Sequence, residues 1–180
     1  AYRSLVEGIA GAAAVCPPSG AIAGIYARVD RERGVWKAPA NVVINGIAGL
    51  LVDYTEREQE VLNSDTAVGK SINAIRQFPG RGWLVWGART LAGNDAEWRY
   101  VSVRRFCNMV ETSIRQAAES FVFEPNDAAT WHRLSATVDN YLVAQWRAGA
   151  LLGSRPEEAF FVRCSLGQTM TAQDIAAGRL

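Results

Sequence analysis

Histidine is all but missing from this chain: His132 is the only one among 180 residues, and no Cys-x-x-Cys or His-x-x-x-His spacing accompanies it. A histidine-based metal centre would have to draw on distant cysteines or carboxylates, and a Cys–His nucleophilic pair would need a cysteine taken from apolar surroundings. Cysteine is scarce too. Cys16, Cys107 and Cys164 are odd in number and widely spaced, which argues against a disulfide framework and for reduced core thiols. Charge of one sign is missing as well: 19 basic and 18 acidic residues leave a net +1. No global field therefore draws the chain to nucleic acid or to an anionic membrane, and partners must be met through local patches. An uninterrupted apolar stretch of about 18 residues is absent, as is a basic segment leading into an apolar one, so neither a membrane span nor a signal peptide is expected. The first residue is Ala, not Met, and the chain reads as cut from something longer.

What is present is apolar content, 49% of the residues, enough for one substantial core or for a domain plus part of another. Residues 4–16, small and apolar, predict a close-packing helix that Pro17 and Pro18 stop. Ser19 is the expected cap of a second helix, whose Ile22, Ile25, Tyr26 and Val29 recur at helical spacing until Gly34 ends it. Residues 35–47 read as a loop and a short strand. Thr55 and Glu58 have capping-box spacing and predict a short helix to about Leu62. Residues 63–82 are polar and then Gly-Pro-Gly punctuated, and are read as a connection.

The second part reads as strand, helix, helix, strand. Residues 83–91 open with the apolar run Trp83, Leu84, Val85, Trp86, the mark of a strand buried on both faces. Val103, Phe106, Cys107, Val110, Ile114 and Phe121 then follow a helical stripe. Pro125 ends the connection, Asn126 is the expected cap of the next helix, and Trp131, Leu134, Val138, Tyr141, Leu142 and Trp146 line its inner face. Residues 158–166 read as a strand able to pair with the first. The closing MTAQDIAAGRL carries a helix start and a closing Gly.

Two features imitate chemistry. SDTAVGKS, residues 64–71, is close to a phosphate-binding loop, and a nucleotide-binding enzyme using Gly69, Lys70 and Ser71 is the alternative function; but Ser64 stands where the first glycine is required, and a charged helix precedes it instead of a buried strand. The six tryptophans resemble a sugar or base platform. Trp83, Trp86, Trp131 and Trp146 nevertheless fall on apolar faces and read as core, while Trp36 and Trp98 are open. The doublet Arg104–Arg105 sits near a helix start, where the dipole mildly disfavours cations; the pair reads either as solvated or paired with a nearby acid such as Asp95 or Glu97, or as an interface element, and a partner carboxylate, within the chain or on another subunit, would offset that cost. With no cluster of nucleophile, base or metal ligands, the reading is a structural protein rather than an enzyme, with no cofactor. A monomeric scaffold module is the other alternative.

The segments PPSGAIAGIYARVDRERGVWKAPAN from Pro17, INAIRQFPGRGWLVWGARTL from Ile72, EWRYVSVRR from Glu97, FEPND from Phe123 and the run from Trp146 through EAFFVRC span most of the chain. Together they resemble the second half of contractile tail sheath proteins, found in phages, R-type tailocins and related injection systems. The resemblance implies an α/β (α+β) chain: residues 1–62 as the end of a subtilisin-like domain without protease chemistry, and 63–180 as the tube-proximal C-terminal domain, with two long helices on a small sheet completed by neighbours' strands. It implies stacked hexameric rings around an inner tube that contract without nucleotide, with baseplate and terminator proteins as partners, and with neither nucleic acid nor membrane insertion. The place is a virion tail or, during assembly, the bacterial cytoplasm. By analogy with basic inner sheath faces, Arg104, Arg105, Arg115 and Arg133 are candidates for tube or intersubunit contacts. Trp83, Val85, Phe160, Val162 and Cys164 are candidates for the strand-exchange sheet. The family continues past residue 180 with a strand and a proline-containing tail, so this stretch alone is not expected to assemble normally.

Overall fold

The computed structural model describes residues 15–63 and 69–180; of the helix expected over residues 4–16, all but the last two residues lie outside them, and those two are not helical. Contacts divide the chain into two compact units, Ala1–Phe106 and Cys107–Leu180, whereas the sequence reading places its boundary at 62/63. The fold is mixed, with helices and a small antiparallel sheet.

In the first unit, helix α1 (Ser19–Arg33) buries Ile25 and Val29. Its start corrects an expectation. The N-cap position falls on Pro18 with no side-chain cap, and Ile22 N–H reaches the Pro18 carbonyl at 2.9 Å. Ser19 is thus already helical. Proline serves at a helix start because its φ is preset and the amide it lacks would have no partner there. Gly34 closes the helix at φ 88°, its amide on the Asp30 carbonyl. After the two-residue strand β1 (Val42–Val43) comes helix α2 (Glu56–Asn63). Its entry is the predicted capping box: Glu58 Oε2 accepts from Thr55 N–H at 2.9 Å, and Thr55 Oγ1 from Glu58 N–H at 3.3 Å.

The stretch read as a connection contains a strand. β2 (Ala74–Phe78) forms a hairpin with β3 (Gly82–Trp86). Pro79 and Gly80, with φ 71° at Gly80 and Arg81 N–H on the Phe78 carbonyl at 3.0 Å, make the tight turn that reverses the chain. The sheet order is β1–β3–β2, with Val85 opposite both Val42 and Ile75. That row packs with Ile25, Val29 and Ile44 into the core; Leu84, one residue before Val85, is fully buried on the other face. On α2, Gln59 bridges to the sheet, donating to the Trp86 carbonyl at 3.1 Å and accepting from Arg76 at 2.6 Å. The strand expected over 83–91 stops at Trp86. Beyond it, Asn73 substitutes for a strand neighbour, its amide both accepting from and donating to the Arg89 backbone at 2.9 Å.

Helix α3 (Val101–Ala118) runs across the division between units and ends in a 3-10 turn, Glu119–Phe121. Phe106, Cys107, Val110 and Ile114 are half-buried as the stripe predicts, whereas Val103 is exposed. In the second unit, helix α4 (Ala128–Arg147) is capped by Asp127, not Asn126. Asp127 Oδ1 accepts from Thr130 N–H at 2.9 Å, while Asn126 is drawn aside by the Trp131 indole at 2.6 Å and the Arg179 carbonyl at 2.9 Å. The six predicted inner-face residues of α4 are half-buried and His132 is exposed. Short helices α5 (Pro156–Ala159) and α6 (Ala172–Ala176) follow, the latter with a Thr171–Asp174 capping box.

Two glycines give opposite expectations. A Cβ at Gly34 would lie 2.4 Å from the Trp36 ring, at a φ that strains any L side chain, whereas one at Gly24 in α1 meets nothing within 4 Å. Thermal unfolding should show Gly34→Ala losing about 1–3 kcal/mol and Gly24→Ala gaining about 0.4–1. The Thr55 hydrogen bonds hold the Glu58 carboxyl below its ordinary range. Its contribution is therefore present above the ordinary carboxyl pKa, about 4.3, and is lost as pH falls through the lower folded value. The protection factors of the α2 amides against hydrogen exchange should fall in that acid window, and Glu58→Gln should flatten the dependence.

Candidate assembly interface

The four candidate arginines meet different fates. Arg105 is consumed inside the chain: its guanidinium grips Asp30 with two bonds, 2.8 and 2.5 Å, both side chains less than a third exposed. It also lies 5.0 Å from the centre of the Tyr26 ring. Hydrogen bonding to Asp30 pushes the Arg105 pKa up, and burial pushes the Tyr26 hydroxyl up against the opposing Arg105 charge. The carboxylate that pairs with Arg105 thus comes from α1 and not from Asp95 or Glu97. Asp95 instead accepts from the Glu97 and Trp98 amides at 2.7 and 2.9 Å, which hold its carboxyl below the ordinary range.

Arg104 stacks over Trp98, 4.7 Å from the ring centre, which gives that tryptophan its role; Trp36 meets Phe106 edge-on at 6.4 Å. Arg133 pairs with Glu124 at 2.5 Å and lies over Phe121. Arg115 is exposed, with no carboxylate within ion-pair distance among the described residues. Arg104 and Arg115 are the two of the four whose charge no carboxylate of the described residues neutralises.

The strand candidates separate likewise. Trp83 and Val85 lie on β3, which is paired along both edges: β2 on one side, β1 on the other, with the Trp83 and Val85 carbonyls taken by Ile44 and Asn41 N–H at 2.9 and 2.7 Å. No edge of β3 is open to a further strand. Residues 158–166 do not form the expected strand beside it, because β3 already has both partners and Glu158 and Ala159 belong to α5. Residues 160–165 are nevertheless laid out like a strand. Phe160, Val162 and Cys164 are half-buried and alternate with exposed Phe161 and Arg163, the period-two signature of a one-sided strand. Residues 161–164 carry no backbone–backbone hydrogen bond among the described residues. Cys164 faces Ser135 of α4, and burial pushes its thiol pKa up.

Of the loop resembling a phosphate site, residues 64–68 lie outside the described part; Ser71 is buried and its hydroxyl donates to the Asn63 carbonyl at 2.9 Å. Among the described residues, no group of His, Cys, Asp and Glu is placed to hold a metal ion, and no helix is long and apolar enough to cross a membrane.

For the Arg105–Asp30 bond, a double-mutant cycle (Arg105→Ala, Asp30→Ala and the pair) read by chemical denaturation should return a coupling of about 1–3 kcal/mol. Arg115→Ala should stay within about 0.5 kcal/mol.

Known proteins supply the remaining comparison. Residues 2–91 match the phage tail sheath protein central domain and residues 93–170 the phage tail sheath C-terminal domain. The tail sheath protein of Vibrio phage KVP40 is 30% identical over 70% of this chain, and that of Enterobacteria phage T4 is 26% identical over 75%. The chain spans only 18% and 20% of those proteins. Among solved structures, a chain of the anti-feeding prophage baseplate superposes with TM-score 0.85 at 48% identity, covering 91% of this chain and 44% of that one. A chain of the PVC sheath complex, an extracellular contractile injection system in its contracted state, superposes at 0.84 with 47% identity over 91% and 45%. This chain belongs to the phage tail sheath protein family.

Proposed function

We propose that the chain is the central-to-C-terminal part of a structural subunit that assembles as stacked hexameric rings around an inner tube and contracts to drive the tube through a target envelope, with no enzymatic step. The observation that carries this reading is the superposition on a contracted sheath chain over 91% of the length at 47% identity. The finer elements belong to the same proposal: residues up to 62 closing a subtilisin-like domain, baseplate and terminator proteins at the ends of the sheath, and a tail particle assembled in the bacterial cytoplasm.

Residues 160–165 are the place for strand addition. A segment whose side chains already alternate is suited to accept a neighbour's strand, and main-chain hydrogen bonds to that neighbour would satisfy its free amides and carbonyls. Of the arginines, Arg104 and Arg115 are the candidates for contact with an acidic tube surface. Such rim contacts set register and weaken with salt more than they supply bulk affinity.

The full-length subunit, expressed alone and with its tube protein, should form tubes of stacked rings in negative-stain electron microscopy; monomers under both conditions would end the sheath reading. Val162→Pro, which removes one main-chain donor from the extended segment, should abolish the tubes while leaving the far-ultraviolet circular dichroism unchanged. Normal tubes would move strand addition elsewhere.

A further inference from the structure

Residues 44–55, which join β1 to α2, are held at both ends and left open between them. At one end Ile44 is buried in the core with its N–H on the Trp83 carbonyl at 2.9 Å. At the other, Thr55 and Glu58 close the capping box of α2. From Asn45 to Tyr54, no backbone or side-chain group takes part in a hydrogen bond among the described residues.

Surface connections are ordinarily polar, and a run of exposed apolar residues points to a partner outside the segment. Here Leu51 is 81% exposed and Val52 56%, Tyr54 is exposed, and Ile47 and Leu50 are half-buried. Asp53 is the one charged residue between Asn45 and Tyr54, exposed and without an ion-pair partner among the described residues. Covering Leu51 and Val52 would strip water from the amides and carbonyls around them, so whatever lies over them must supply main-chain partners as well as apolar contact. A strand laid alongside does both. Asp53 must then stay at the rim of that contact or meet a cation.

We propose that residues 45–54 are the seat for a strand from the part of the same sheath subunit that lies outside residues 1–180. The inference takes from the reading above only that these residues belong to a longer subunit. Length argues for this occupant. The chain covers 44% and 45% of the two superposed chains, and residues 2–91, which include the segment, match a domain described as central. More than half of such a subunit is thus tethered to this seat, at a high effective concentration before any second copy arrives. A run this apolar kept for a second copy would stay bare on every unassembled subunit, the condition that invites aggregation.

The test uses the full-length subunit, kept dilute and unassembled. A photo-crosslinking phenylalanine analogue at position 51 should give, on irradiation, a product of monomer mass whose crosslinked peptide lies outside residues 1–180. A product of dimer mass would hand the seat to a second copy, and a link within residues 1–180, or no link, would equally overturn the proposal. Hydrogen exchange reads the unsubstituted chain: amides of residues 45–54 should already be slowed at least about tenfold in the monomer, and protection that appears only in assembled tubes, or nowhere, goes against it. Leu51→Ser should lower the thermal midpoint of the unassembled subunit by at least about 2 °C; a smaller shift, the scale of a surface position, would overturn the seat. All three readouts precede assembly, so tube formation by the wild type decides the sheath reading separately. Tubes without the crosslink remove only this seat, and the crosslink without tubes removes only the sheath reading.

Discussion

The first unit depends on one constraint, the pairing of β3 along both its edges. Gly82–Trp86 is only five residues long, yet β1, β2 and the core row through Val85 are all defined by their register to it. Side chains alternate across a strand, so a slip of one residue would move Val85 off the α1 face and send Leu84 toward it. The flanking devices each resist such a slip. The Pro79–Gly80 turn fixes the hairpin length, Gln59 ties α2 to the Trp86 carbonyl, and the Asn73 amide continues the ladder to Arg89 after the strand has ended. Arg81 adds a tie from the turn to Asn41, whose own φ of 59° places its amide on the Val85 carbonyl.

Much of this was legible in the sequence because it is local. Helical stripes, the Thr55–Glu58 box and the run from Trp83 to Trp86 are written in spacings of a few residues. What was not legible follows from competition between neighbours. AIRQF reads as polar because Arg76 and Gln77 fill strand positions, and their place is given by Gln59 and by β3, which lie elsewhere in the chain. Asn126 and Asp127 are both good caps, and the Trp131 indole decides between them by claiming the first. Residues 160–165 have strand alternation, but no pattern within them says that their backbone is left unpaired among the described residues.

The candidate interface was legible only by residue type. Four arginines carry the same formal charge, yet Asp30, 75 positions away in sequence from Arg105, already pairs with one of them, and Glu124 engages another. A charged residue's availability is set by what lies across from it, a long-range fact. Leu51 and Val52 show the converse: apolar composition predicts burial, and only their exposure in the fold singles them out.

The extended segment also raises a matter of solubility before assembly. A strand with unclaimed amides and carbonyls is a template for any other such strand, including its own copies. Here Arg163 lies over the Phe161 ring, 4.7 Å from its centre, on the exposed side of the segment. Parallel, in-register stacking of two copies would set Arg163 against Arg163, and like charges directly opposed destabilise a strand pair. On the proposed strand addition, Arg163 would discourage identical edges from zipping together while leaving the main chain open to a strand of different sequence.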